Sequence, residues 1–179
     1  NDISITDKTL SNYLTALRRL FIIEDVKAWQ PSLRSRTGIR TSDKRHFVDT
    51  SIATAILELN PKSVLEDFEL FGFLFEDFCL RDIRVYTELL RGTVYHYHDN
   101  SNLEADLIIR LHDGRWAAIE VKTGSKEIEE AAENLITLSN EVNTSKIGSP
   151  SFLMVLTAGQ YAYRREDGVY VVPIGCLKP

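Results

Sequence analysis

Residues 102–124 read Asn102-Leu-Glu-Ala-Asp106-Leu-Ile-Ile-Arg-Leu111, then His112-Asp-Gly-Arg115, then Trp116-Ala-Ala-Ile-Glu120-Val-Lys122-Thr-Gly124. Two apolar runs around an Asp-Gly dipeptide predict a β-hairpin, because that pair tolerates the positive φ of a tight connection and the flanks are strand formers. Side chains alternate along a strand, so Glu104 and Asp106 share one face of the first strand, and Glu120 and Lys122 one face of the second. Three acids and a lysine thus fall on two neighbouring strands. Charges inside apolar strands are paired, metal-bound or functional, since desolvating an unpaired carboxylate costs several kcal/mol or more. A plain ion pair of Lys122 with Glu120 or Asp106 on a half-exposed sheet is one reading of this pattern.

The other reading follows from spacing. An acid on one strand, followed after a hairpin by Glu-x-Lys near the end of the next, resembles the signature of the PD-(D/E)xK nuclease superfamily. The resemblance implies that Asp106 and Glu120 ligate Mg²⁺ through hard oxygen donors and that Lys122 positions or activates the attacking water. It also implies an acid on the helix before the metal strand. Glu76 is the candidate, with Asp82 as a rival: the helical neighbours of Glu76 are Gly72, Phe73, Leu80 and Ile83, where an ionised carboxylate needs a partner or a route past Phe73 to water.

Composition sets the bounds. The chain has 179 residues, 44% of them hydrophobic and 26% charged, so it is long enough for a core and is neither disordered nor fibrous. Its apolar runs are shorter than the roughly 20 residues of a membrane span and it begins with no signal segment, which predicts a cytoplasmic protein without a membrane anchor. Cys79 and Cys176 each sit in an apolar context and are expected as buried free thiols. A net charge of −5 argues against a surface that attracts nucleic acid everywhere. Any DNA contact must be local, and Arg34, Arg36, Arg40, Lys44 and Arg45 cluster early enough to supply it; a solvated basic loop is the alternative.

Along the chain, Thr6 or Asp7 caps a helix to about Leu20 whose Leu10, Tyr13, Leu14, Leu17 and Leu20 predict one buried stripe. Phe21 to Trp29 reads as extended, Arg45 to Asp49 as a short strand, and Ser51 to Leu59 as a helix. Helix, strand, basic loop and strand suggest the back half of a winged-helix arrangement, and hence a chain that starts inside a domain. Residues 61–90 are strongly helical, with a break expected near Gly72, where a glycine would let another backbone approach. Asp77, Arg81, Arg84 and Glu88 form a polar stripe there. Thr93 to His98 alternates tyrosine and histidine; two histidines two residues apart could serve zinc, although the other donors a structural zinc needs are missing. Ser125 to about Val142 is an amphipathic helix, and Ser151 to Thr157 and Gly168 to Ile174 are strands.

From Pro61 the order is therefore αβββαβ with a further strand. It predicts an α/β fold, a mixed central sheet flanked by helices, at residues 61–179, preceded at 1–60 by a partial winged-helix-like segment. The restriction-endonuclease-like core of the PD-(D/E)xK superfamily has this succession.

The succession Tyr13-Leu14, Leu17, Leu20-Phe21-Ile22, Trp29-x-Pro31, Lys44-Arg45-His46-Phe47-Val48-Asp49, Gly72-Phe73-Leu74-Phe75-Glu76, Tyr95-His96-Tyr97, Glu104-Ala105-Asp106, Ile119-Glu120-Val121-Lys122 and Val172-Pro173-Ile174 resembles a domain of unknown function. That domain follows the ATPase module in prokaryotic AAA+-type P-loop ATPases. The resemblance implies an N-terminal ATPase as partner and either a Mg²⁺-dependent phosphodiesterase or an inactive DNA-docking or protein-interaction module. This sequence departs from its relatives in two respects: it has no Gly-x-x-x-x-Gly-Lys-Ser/Thr, so it does not hold ATP through a P-loop, and the arginine expected near His98 is missing.

Overall fold

In the computed structural model, residues 5–34 and 38–178 are described. Helix α1 (Asp7–Arg19) is capped by Thr6, whose side chain accepts from Thr9 N–H, with Asp7 in its first turn and Arg18 and Arg19 in its last, as the helix dipole favours. The expected buried stripe does not form: no α1 residue is buried, and Leu10, Tyr13 and Leu20 are exposed. Only one side of the helix meets the rest of the described chain, so the apolar spacing is present without a second layer to cover it. Phe21 takes a φ of 56°, which turns the chain so that the strand begins only at Ile23.

Strands β1 (Ile23–Val26) and β2 (Lys44–Phe47) pair antiparallel, Ile23 opposite Phe47 and Val26 opposite Lys44. Helix α2 (Thr50–Ile56) is capped by Asp49, and α3 (Pro61–Glu66) by an Asn60–Ser63 capping box with proline at its first position. The helical break falls at Asp67 rather than at Gly72. Asp67 leaves α3 with a non-helical φ of −121° and ψ of 89° and caps α4 (Phe68–Leu89) by accepting from Leu70 N–H. Gly72 continues inside α4, where a Cβ would meet nothing within 4 Å, so close approach is not its role.

The main sheet is built from β3 (Gly92–His98), β4 (Glu104–Leu111), β5 (Trp116–Lys122), β6 (Leu153–Thr157), β7 (Tyr163–Arg164) and β8 (Tyr170–Pro173) in the order β3-β4-β5-β6-β8-β7. The first three strands are antiparallel, β5, β6 and β8 are parallel, and β7 closes the far edge antiparallel to β8. Helix α5 (Ile128–Glu141), followed by the short α6 (Thr144–Ile147), makes the crossover between β5 and β6. It packs Ala131, Ala132, Leu135 and Leu138 over Ile108, Trp116, Ala118 and Val155. On the other side α4 packs Phe75, Cys79, Leu80 and Ile83 over Val94, Leu107, Ile119 and Leu156. The expected mixed sheet flanked by helices is the architecture observed. Among the described residues no helix is long and apolar enough to cross a membrane. Cys79 is buried as expected, whereas Cys176 is exposed because it sits in a single 3₁₀ turn (Ile174–Cys176) past the last strand.

The segment ahead of α2 is stitched to the β3 edge. Trp29 N–H donates to His96 O at 2.7 Å and His96 N–H to Lys27 O at 3.0 Å, which satisfies backbone groups that an open edge would leave bare. The Trp29 ring lies 4.9 Å from that of Trp116 and 6.4 Å from that of Tyr97, deep in the α5-side core. Trp29→Ala is therefore expected to lower the unfolding free energy by about 3–5 kcal/mol in urea denaturation. A loss under about 1 kcal/mol would show that the segment is docked without being part of the core.

Candidate functional site

Strand β4 carries one residue too many. Tyr95 pairs with Ile108 but Tyr97 pairs with Ala105, which leaves Asp106 and Leu107 opposite the single residue His96. This is a β-bulge, and it re-aims side chains. Ile108 and Ala105 both join the core under α5, whereas Leu107 joins the core under α4. Strict alternation would send Asp106 with Ile108; the bulge sends it instead toward α4. Its Oδ2 accepts the Val121 N–H at 2.8 Å, so the carboxylate continues the β4–β5 ladder beyond the Leu107–Ile119 pair, where the backbones part.

Around Asp106 the structure gathers two acids and a lysine singled out from sequence, with one addition. Glu76 arrives from α4, and Glu120 and Lys122 from β5. The addition is Lys44 of β2, whose Nζ lies 2.6 Å from Glu76 Oε1 and 3.6 Å from Asp106 Oδ1. Lys122 Nζ lies 3.1 Å from Glu120 Oε2. Glu104, on the same strand face as Asp106, is exposed at the rim. A groove of about 370 Å³ opens onto the cluster, walled by Phe68, Gly72 and Phe73 of α4 and floored by Lys44, Asp106 and Lys122. A second cavity of about 200 Å³ meets it at Lys44 and Asp106, with Ser42, His96 and His98 beyond. A larger cleft of about 490 Å³, lined by Glu24, Arg81, Arg84 and Glu88, lies apart from these acids, and its arginines are engaged: Arg84 pairs with Glu24, and Arg81 with Asp82.

Glu120 is the most strained member electrostatically. It is 1% exposed, and its Oε1 has no hydrogen-bond partner among the described residues. Burial, followed by the neighbouring Asp106 carboxylate, pushes its carboxyl up to about 8 against the opposing pull of Lys122. Two carboxylates face each other there, and only a proton or a cation between them can satisfy both. Burial and then Asp106 also raise Glu76, with Lys44 opposing. Burial lowers the Lys44 ammonium, but Glu76 and Asp106 outweigh it and the net shift is upward; Lys122 behaves likewise through Glu120 and Asp106.

Whether a divalent ion fits is decided by these oxygens. Asp106 and the orphaned Glu120 oxygen are hard donors of the kind Mg²⁺ takes, and that ion commonly uses one or two carboxylates and completes its shell with water and phosphate. Glu76, the third proposed ligand, is occupied by Lys44. Among the described residues no three His, Cys, Asp or Glu side chains converge as a ready-made cage. That applies to His96 and His98 too: His96 Nε2–H donates to Ser42 O at 3.0 Å and His98 Nδ1 stands 4.0 Å from Glu104.

The described members of the basic stretch do not form one patch. Arg34 donates to Thr144 Oγ1 and Arg40 to Asn102 Oδ1, each at 2.7 Å, Arg45 lies 3.5 Å from Asp25, and Lys44 enters the acid cluster. Arg36 lies outside the described residues. The sequence reading missed the Lys44 role and a second contact beside it: His46 Nδ1 lies 2.6 Å from Asp77 Oδ1, while Phe47 N–H donates to Asp77 Oδ2 at 3.2 Å. A signal for both was present. Lys44 and His46 are two apart on a strand and so share a face, and the face they share meets the adjacent Glu76 and Asp77 of α4.

The raised Glu120 carboxyl sets the direction of a pH effect. A folded-state pKa of about 8, against an ordinary 4.5, means that the folded protein holds the extra proton between those values. Stability is then full below about pH 4.5 and lost as pH rises through 8, by roughly 2–4 kcal/mol. In metal-free buffer, chemical denaturation at pH 5.5 and 8.5 is expected to show this loss for the wild type and not for Glu120→Gln. Equal pH slopes in the two proteins would place the proton elsewhere.

No curated protein sequence matches this chain. One solved chain, from an assembly of Thermococcus gammatolerans McrB AAA+ hexamers with bound McrC, is similar at 10% identity and a TM-score of 0.38, over 91% of this chain and 59% of that one. A likeness that slight carries no argument. Residues 1–63 match a domain of unknown function, DUF8612. Residues 71–177, which hold Glu76, Asp106, Glu120 and Lys122, match the domain of unknown function DUF4143, and the chain belongs to that family.

Proposed function

We propose that this chain is a nuclease-like module that hydrolyses phosphodiester bonds in DNA with Mg²⁺ and works beside an N-terminal ATPase module of the same polypeptide. The observation that carries the reading is the buried Glu120, whose Oε1 lacks a donor while Asp106 faces it at the head of an open groove. Asp106 and Glu120 would hold the ion. Bound there, Mg²⁺ would supply Lewis-acid stabilisation of phosphate charge and a water acidic enough to attack.

The chain's own residues do the rest. Val121 N–H fixes Asp106 by one oxygen and leaves the other toward the groove. Lys122 keeps Glu120 in place by its Oε2 and, still partly exposed, presents its ammonium to an incoming phosphate. Phe68 and Phe73, both exposed, give the groove wall apolar faces against which a sugar or base can rest. The ATPase partner rests on the resemblance in sequence to domains that follow such modules.

A second reading is non-catalytic: the acids and lysines form a structural ion network in a module that docks DNA or the ATPase. It is favoured by the net charge of −5 and by lysines already saturated with carboxylates. Lys122→Ala separates the two. Under the first reading, plasmid nicking by the chain in Mg²⁺ or Mn²⁺ is lost while the fold, with the ion on Glu120, keeps most of its stability in the same buffer. Under the second, no nicking is seen in either protein, and the variant loses about 3–5 kcal/mol because Glu120 is left buried and unpaired.

A further inference from the structure

The Lys44 ammonium stands where two acids from different elements converge. Glu76 and Asp106 are each largely buried, their side chains 18% and 12% exposed, and without Lys44 they would face one another unscreened. The lysine side chain itself is 40% exposed and forms the ridge between the 370 Å³ groove and the 200 Å³ cavity, so its position is reachable from solvent on two sides. Beyond Asp106 the buried Glu120 oxygen still lacks a partner. Three carboxyl groups thus share two ammonium groups, and the third charge is met by a proton on Glu120 or by a cation. Lys44 comes from the segment matching the first family and its acids from the segment matching the second, so the charge of the site is completed across that boundary.

We propose that Lys44 fills a second cation position, between Glu76 and Asp106, and that a divalent ion binds there once the lysine is removed. The inference deepens the reading above and rests on its assignment of Asp106 as an ion-binding carboxylate. A wild-type site would take an ion between Asp106 and Glu120 alone, with the ammonium doing at the other position what a second metal would do: screening the acids and offering positive charge to a phosphate oxygen. Lys44 is a positioning residue in this scheme, and what it controls is ion number.

Calorimetric titration with Mn²⁺ tests this. Lys44→Met, with Lys44→Gln in its place should the methionine variant not fold, is expected to bind one more ion than the wild type, and adding Glu76→Gln abolishes the gain. Lys44→Arg, which keeps the charge, matches the wild type. Glu76→Gln alone leaves the wild-type affinity within about threefold; a loss of about tenfold or more, the size expected for a ligand or a group holding one, would make Glu76 a ligand beside Lys44 and overturn the proposal. The same ion count in Lys44→Met and wild type also overturns it. A wild type that binds no ion ends instead the metal-dependent reading of the previous section, and the two failures are read from different proteins.

Discussion

Asp106 is the constraint on which the candidate site depends. Its carboxylate takes the Val121 N–H that the ladder would otherwise leave bare and, with its other oxygen, meets Lys44. A backbone donor buried without a partner costs about as much as a lost hydrogen bond, so this side chain is tied to the fold as well as to the chemistry. The bulge opposite His96 makes that possible by turning Asp106 out of step with Ile108. Pleat parity puts Glu120 and Lys122 with Trp116 and Ala118, on the α5 side, and Glu76 belongs to α4. Asp106, at the point where β4 and β5 part, is the one acid in reach of both groups.

Electrostatics follow from that position. Each carboxylate next to Asp106 is raised by burial and by Asp106, and each lysine is held charged by the acids around it. Buried ion networks are weak evidence for stability, because desolvation can exceed the Coulombic gain. They are retained where the charge itself is needed. An oxygen left without a donor inside such a network, as at Glu120, is harder to explain as structure alone than a fully paired cluster would be.

The hairpin, the flanking helices and the sequence order of the sheet were legible because they depend on local periodicity. Leu107 through Ile109 and Ala117 through Ile119 pair in the register that the Asp113-Gly114 turn dictates. The bulge was not legible, since it exists only in the pairing of β4 with β3. Nor was the end of α3: Gly72 looked like the break by propensity, but Asp67 can both end one helix and cap the next, and a single glycine inside a long helix costs only about 1 kcal/mol. The buried stripe of α1 failed for a related reason, because periodicity reports an apolar face without reporting what covers it. Of the site, the acids and Lys122 could be read from strand spacing. Lys44 was masked by its basic neighbours: its spacing from His46 marks a shared strand face, but nothing in a run of cations says which face turns inward.

What turns Lys44 inward is the packing of its own segment. Trp29 is wedged against Trp116 and Tyr97, its own N–H and the Lys27 carbonyl bond to His96, and Ile39 bridges to Asp99, so the chain entering β2 is fixed along the open edge of β3, across that strand from the β4 bulge. Two and three residues after Lys44, His46 and Phe47 are clamped to Asp77, next to Glu76. A strand held at both ends has one register, and a one-residue slip would carry Lys44 to the opposite face and Arg45 toward the acids. Arg45 is retained by Asp25 on the neighbouring strand, which opposes that slip. The position of a single ammonium group therefore rests on an aromatic wedge, an edge pairing and a helix clamp, none of which touches the acids themselves.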